Sequence, residues 1–278
     1  MIASFNAELL RLRRWPTLWA LIGVWFALNL TFMYLLNYVG YTGGDSNATE
    51  GQTREELLAQ LMPAAVPEEF TSGTVVFGGA LMLILGGLAT GSGYGWGTWK
   101  TVFTQGPARI PALAGTVLAV LTIVVGVVLC TFAVDLSIAT LIAAVESQPV
   151  DLPSPTRSLA GIGSATAILG MWTMLGILIG IIARGPALAV GLGLVWLLVL
   201  ENVLRFFGDM LGRAGTATDY LPGTAAGSLA GALRTLTGET TPGVLTTLTP
   251  WTAITTLAVY TTTFTTAALY LTHRRDLP

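Results

Sequence analysis

Six stretches of this chain are almost wholly apolar over about the length that crosses a bilayer, near 17–39, 73–92, 111–134, 161–183, 186–203 and 251–271. A helix needs about 20 such residues to span a hydrocarbon core of about 30 Å, and lipid tolerates only backbones whose polar groups are paired internally. The predicted fold is therefore all-α, a polytopic membrane protein with six transmembrane helices forming a single transmembrane domain over 1–278. The third run stays apolar to about Val145 and is broken only by Asp135, so its helix is expected to project beyond the membrane.

Composition supports this reading. Only 10% of the 278 residues are charged, against about 25% in soluble domains, which is too few to coat a soluble surface. The 33 glycines read as packing residues that let helices approach closely. The net charge is −2 and Lys100 is the only lysine, so nucleic acid is excluded as a partner on electrostatic grounds. With one cysteine, Cys130, and one histidine, His273, neither a disulfide framework nor a Cys/His metal cluster can be built, and no metal site is predicted.

Arginine and lysine set the expected orientation. With both termini cytoplasmic, the inner segments hold Arg11, Arg13, Arg14, Lys100, Arg109, Arg184, Arg274 and Arg275. The longer outer segments hold Arg54, Arg157, Arg205, Arg213, Arg234 and most of the carboxylates. Basic residues ahead of the first apolar run superficially resemble a signal peptide. That run exceeds twenty residues and lacks a convincing cleavage site, so it is read as a retained span.

Residues 1–16 form a separate unit. Ile2, Phe5, Leu9 and Leu12 recur at helical spacing, with Asn6, Glu8, Arg11 and Arg13 on other faces, which predicts a helix lying in the inner membrane interface against lipid. The alternative is a frayed tail. Trp15 and Pro16 supply an interfacial anchor and a break. Residues 40–72 read as an acidic, solvent-exposed outer segment in which Thr53 and Glu56 cap a short helix. Asn47-Ala48-Thr49 matches a glycosylation sequon, relevant only in a eukaryotic secretory pathway. Residues 204–250 are rich in glycine, alanine and threonine, and Leu221, Leu229, Leu233 and Leu236 give them a mild amphipathicity. Either short helices dip into the outer leaflet or the segment is a flexible loop.

Catalytic constellations are nearly absent. Ser92 and His273 both fall near the inner surface, but nothing in the sequence orients them as nucleophile and base. No phosphate-binding loop is present and Lys100 lacks the flanking residues of one, so the chain is not expected to hydrolyse nucleotide or to be an enzyme. Ionisable residues in spans are functional candidates because charge in hydrocarbon is costly. Asp135 and Glu201 qualify, and Arg205 sits at i+4 from Glu201, which predicts a structural ion pair, with a proton-coupled polar path as the sharper alternative. Threonines crowd the last span, from Thr252 to Thr266, as packing groups or a polar path.

The loop after the second span, Gly93 to Leu113, contains Trp96, Gly97, Thr98, Trp99, Lys100 and Thr101, then Gly106-Pro107-Ala108-Arg109 directly before the third span. On residues alone it is either a docking knob for a cytoplasmic partner or an interfacial connector. Gly97-Thr98, the apolar turn Thr101–Thr104 and Gly106–Arg109 resemble the coupling loop in permease subunits of type-two-class ABC exporters. The resemblance is to the small six-span permeases of antibiotic, bacteriocin and peptide resistance systems. The amino-terminal helix, the six spans and Asp219-Tyr220-Leu221-Pro222 before the last span extend it over nearly the whole chain. The resemblance implies a re-entrant helical hairpin near 219–238 on the outer side and a multi-pass protein of the cell membrane. It implies two ABC ATPase subunits as partners, docked under this chain and a second permease copy or paralogue. ATP and Mg are expected in those ATPases, with no cofactor bound by this chain, and the cargo is expected to be amphipathic. Many members carry a glutamate shortly before the glycine-threonine pair. Here Gly91–Trp96 take its place, so coupling is expected to rely on Trp96, Trp99 and Lys100. An ion-coupled secondary transporter and a non-transporting membrane scaffold or sensor are the alternatives.

Overall fold

Apolar runs separated by proline and glycine give a chain built from helices. The computed structural model describes residues 1–43, 52–105, 108–208, 212–234 and 241–274, and among these there is no strand. Helix α1 (Ile2–Arg13) is followed by α2 (Pro16–Gly43), with Pro16 at its first position and Trp15 extended between the two. A short α3 (Arg54–Leu61) precedes α4 (Pro63–Gly95), and α5 (Thr98–Gln105) leads to α6 (Arg109–Val145). Then come α7 (Pro155–Ala183), α8 (Pro186–Gly208), the 3₁₀ segment Gly212–Tyr220, α9 (Pro222–Gly231) and α10 (Pro250–Arg274).

Five of these helices, α2, α4, α6, α7 and α8, are long and apolar enough to cross a membrane. The sixth run forms α10, a helix of 25 residues, about 37 Å at about 1.5 Å per residue. Its threonine density lowers its hydropathy, and hydroxyls such as those of Thr261, Thr262, Thr265 and Thr266 turn back onto carbonyls four residues earlier, which hides them from lipid. The 37-residue α6 runs from Arg109 to Val145 without interruption, about 55 Å and longer than a hydrocarbon core, as an apolar run broken only by Asp135 predicts.

The centre of the bundle is the pairing of α4 with α7, with α8 packed on both, α6 and α10 against α7, and α1 along the start of α6. Small residues allow the central pair to close. A Cβ built on Gly176 would meet the backbone of Leu83 and Gly87, one on Gly86 the backbone of Thr173 and Ile177, and one on Gly180 the backbone of Gly87 and Gly91. The Thr90 hydroxyl bridges this seam to the Ile177 carbonyl at 3.2 Å. Around it Met82, Leu83, Leu85, Ile168, Leu169 and Met171 are fully buried. Spans α2, α4 and α8 each contain a π-helical stretch, at Leu30–Leu35, Thr74–Gly78 and Val195–Leu200.

The capped helix α3 forms as its sequence predicts. The Thr53 hydroxyl accepts from the Glu56 amide while the Glu56 carboxylate accepts from the Thr53 amide. The rest of the outer segment 40–72 corrects the expectation of solvent exposure. Leu57 and Leu61 are buried, and Val66–Gly73 forms largely buried early turns of α4, which begins about ten residues before the apolar run. Glu68, 3% exposed, is accommodated there because Arg157 at the start of α7 lies 3.8 Å away. The Asn47 sequon lies outside the described residues.

Candidate functional site

The residues singled out in the inner loop come together with the amino-terminal helix. α4 ends at Gly95, and the chain turns through Gly97 at φ +67°, a left-handed conformation that glycine adopts without steric cost. Helix α5 then folds back beneath α4. Trp99 anchors it. Its indole Nε1 donates to the Thr90 carbonyl at 3.0 Å, and its ring stacks on Phe103 with centroids 5.2 Å apart. Gly93 leaves the space the indole occupies, since a Cβ there would lie 2.7 Å from Trp99 Cδ1 and closer still to Nε1. Arg109 stands over the Phe103 ring at 5.9 Å. Trp96 is 69% exposed, and Gly97, Thr98, Lys100 and Thr101 are also exposed. The loop therefore has an inner aromatic root and an outward face. Gly106 and Pro107 lie outside the described residues.

Helix α1 forms the opposite wall. Phe5 and Leu9 pack on the core and Leu12 is fully buried, whereas Ile2, expected on the same face, is 76% exposed. Gly115 on α6 lets α1 in, because a Cβ there would meet the Phe5 amide at 2.8 Å. Arg11 pairs with Glu8, sits 5.5 Å over the Trp15 ring and donates to the Ala89 carbonyl at 3.2 Å, tying α1 to α4. The Arg13 side chain is exposed, and its carbonyl accepts from Trp19 Nε1 at 2.8 Å. Between α1, α5 and the ends of α4 and α6 is a cavity of about 570 Å³ lined by residues including Ser4, Ala7, Glu8, Arg11, Thr98 and Trp99. Periodicity identified α1, and the loop stood out separately by its aromatic and basic residues. Their union depends on Arg11 reaching Ala89 and on Gly115, long-range pairings that leave no periodic signal.

Arg205 acts on Glu201 electrostatically, but among the described residues the two make no direct salt bridge. Glu201, 1% exposed, accepts from the backbone amides of Gly223 and Thr224, the latter at 3.0 Å, and so caps the start of α9. Arg205 donates instead to Asn202 Oδ1 at 2.7 Å on the surface. Amides left unpaired at a helix start hold a carboxylate more closely than a half-buried guanidinium that is already bonded to Asn202. Tyr220 is half exposed, Leu221 is the extended residue before α9 and Pro222 its buried first position. After α9 the chain doubles back, with the Leu245 amide donating to the Gly227 carbonyl at 3.1 Å and the Leu248 amide to Ser228 Oγ at 3.2 Å. The segment 235–238 of the expected hairpin lies outside the described residues. Ser92 is buried and His273 exposed, and they make no hydrogen bond.

Asp135 is 1% exposed and accepts from Asn29 Nδ2 at 2.7 Å, one turn beyond the bond from Trp25 Nε1 to Thr131 Oγ at 2.8 Å. These two rungs join α2 to α6. Asn29 and Trp25 escaped the sequence reading, although the paired spacing of four, Trp25/Asn29 and Thr131/Asp135, was visible in it. Glu68 and Arg157 also escaped it, because no local pattern links residues on different spans.

The fold defines a polytopic helical membrane protein. No protein-family model matches the chain, and no curated protein matches it, so its function must be read from its own residues.

Proposed function

We propose that this chain is the membrane-spanning permease subunit of an ATP-driven ABC exporter, moving an amphipathic cargo such as a peptide antibiotic, drug or lipid. In this reading α10 is the sixth span, both termini are cytoplasmic, and α9 with the returning segment 241–249 is a re-entrant hairpin in the outer leaflet of the cell membrane. A second permease copy or paralogue and two ATPase subunits complete the complex, and ATP and Mg are held by those ATPases.

The observation that carries the proposal is the union of α1 and α5 at one end of the bundle. A push on the exposed face of α5, at Trp96, Thr98, Lys100 and Thr101, is transmitted through the Trp99 indole to Thr90, whose hydroxyl bonds across to Ile177 on α7. A partner that changes shape on binding and hydrolysing ATP would bias the two central helices through this lever, provided it binds one arrangement of the spans better than the other. Arg11 gives α1 a second hold on the same helix through Ala89. The resemblance of Gly97-Thr98 and Arg109 to a coupling loop supports the same partner.

The purified chain is expected to hydrolyse no ATP alone and to gain hydrolysis with a separately encoded ABC ATPase. Transport driven by a proton or sodium gradient in the absence of any ATPase would refute the proposal. The buried Asn29–Asp135 contact favours a second reading, ion-coupled secondary transport, which that gradient experiment discriminates.

A further inference from the structure

A buried carboxylate and a buried amide oxygen, side by side, are each one partner short. Asp135 is 1% exposed, and its only hydrogen bond among the described residues is the one it accepts from Asn29 Nδ2 at 2.7 Å. Among the described residues no cation forms a salt bridge with it. Asn29 is also 1% exposed, and its Oδ1 has no hydrogen-bond partner. Asn29 lies about 20 Å along α2 from Trp15 at about 1.5 Å per residue, deep in a span where neither group can turn to water.

The surrounding charges do not supply the missing partner. Arg157 is engaged with Glu68 at 3.8 Å and with the Leu233 carbonyl at 3.1 Å. Tyr34 on α2 and Glu69 on α4 are within electrostatic reach of one another, and Tyr34 of Asp135. Further along α6, Glu146 accepts from the hydroxyls of Tyr38 and Tyr41 at 2.9 and 3.1 Å. Arg234 acts on Glu69, and among the described residues no cation acts on Asp135 itself, so an ionised carboxylate there carries the penalty of an unpaired charge in a low-dielectric interior.

One proton remedies both deficits. We propose that Asn29 and Asp135 form a proton-binding site within the membrane, in which a proton on Asp135 is donated to Asn29 Oδ1 while Asn29 Nδ2 keeps its bond to the other carboxyl oxygen. The product is a cyclic acid–amide pair with two hydrogen bonds. A single proton is taken up from water, the carboxylate loses its charge, and the O–H bond is the only covalent bond formed. The change requires the Asn29 amide to swing so that Oδ1 faces Asp135. Oδ1 faces Gly73, which has no side chain to stand in the way, whereas a Cβ there would lie 3.2 Å from it. The π-helical stretch Leu30–Leu35 begins at the next residue, and such stretches often occur where a span departs from regular geometry for a function.

Infrared difference spectroscopy of the full chain in vesicles of neutral lipid, at about pH 7, tests the proposal. The wild type is expected to show a protonated carboxyl band that vanishes in Asp135→Asn, with a thermal midpoint in that variant equal to the wild type because an amide replaces a neutral acid. If Asp135→Asn fails to insert, Asn29→Leu with isotope-labelled aspartate decides the matter. Losing the amide partner must shift the labelled protonated band. An ionised carboxylate band as the only signal lost in Asp135→Asn, or an unmoved band in Asn29→Leu, overturns the proposal. A rise in thermal midpoint with sodium at constant ionic strength, absent in Asp135→Asn, overturns it equally by assigning the site to a metal cation.

Discussion

Replacing Gly176 with alanine adds one methyl group at the tightest point of the bundle. The new Cβ would stand 2.9 Å from the Leu83 carbonyl carbon and 3.0 Å from the Gly87 amide nitrogen, and closer still to the Leu83 oxygen. All three are backbone atoms of α4, so no side chain can rotate away. Restoring contacts of about 3.5–4 Å requires α4 and α7 to part by roughly 1 Å, which weakens the Thr90 to Ile177 bond and thins the packing along the seam. Overpacking of this kind costs about 1–3 kcal/mol, and an interhelical hydrogen bond in a membrane contributes about 0.6 kcal/mol. Alanine returns up to about 1 kcal/mol through its better helix propensity. The net is a destabilisation of about 2 kcal/mol, or roughly 4–8 °C in Tm for a chain of this size. Thermal unfolding in lipid–detergent mixtures measures it, with Gly23→Ala as the control, since nothing lies within 4 Å of a Cβ at Gly23. A Gly176→Ala variant that melts with the control would refute the seam as the structural centre.

Other substitutions separate the remaining contacts. Glu201→Ala leaves the half-buried Gly223 amide and the buried Thr224 amide without their acceptor and is expected to cost about 2–3 kcal/mol, read as a lower Tm and faster proteolysis in the segment after α9. Arg205→Ala should stay within about 0.5 kcal/mol of wild type. An Arg205 effect as large as that of Glu201 would reinstate the ion pair. Trp99→Ala removes the anchor of α5, so trypsin should cut after Lys100 several-fold faster with little change in Tm, and unchanged cleavage would mean the loop is held otherwise. Gly97→Val forces a β-branched residue to φ +67° at a cost of about 1–3 kcal/mol. In a complex with an ABC ATPase it should lower cargo export per ATP hydrolysed while leaving insertion intact, and normal export per ATP would remove α5 from the coupling path.

The spans were legible because lipid imposes one length and one polarity on each. Thr53 and Glu56 announced α3 because a capping box is a local pattern. Helix α4 starts earlier than its apolar run because Glu68 finds Arg157 about ninety residues away, and no window of sequence contains both. The same limit explains Glu201. Its i+4 neighbour Arg205 was visible, whereas the amides of α9 that win it are brought in only by the tertiary fold. The residues of the inner loop were legible as a group, but the split of Trp99 inward and Trp96 outward follows from how α5 folds under Gly93. Asp135 was legible as costly, whereas its partner Asn29 became evident only when α2 and α6 were side by side.

The central claim is that this chain is driven by ATP through the face formed by α1 and α5. Its most direct test is reconstitution of the chain in vesicles with a separately encoded ABC ATPase, measuring export of an amphipathic peptide with ATP, with ADP, and with a proton or sodium gradient alone. The account predicts export with ATP only, and its loss when Trp96 and Lys100 on the exposed face of α5 are replaced by glutamate. Export sustained by an ion gradient without ATP or ATPase would contradict it.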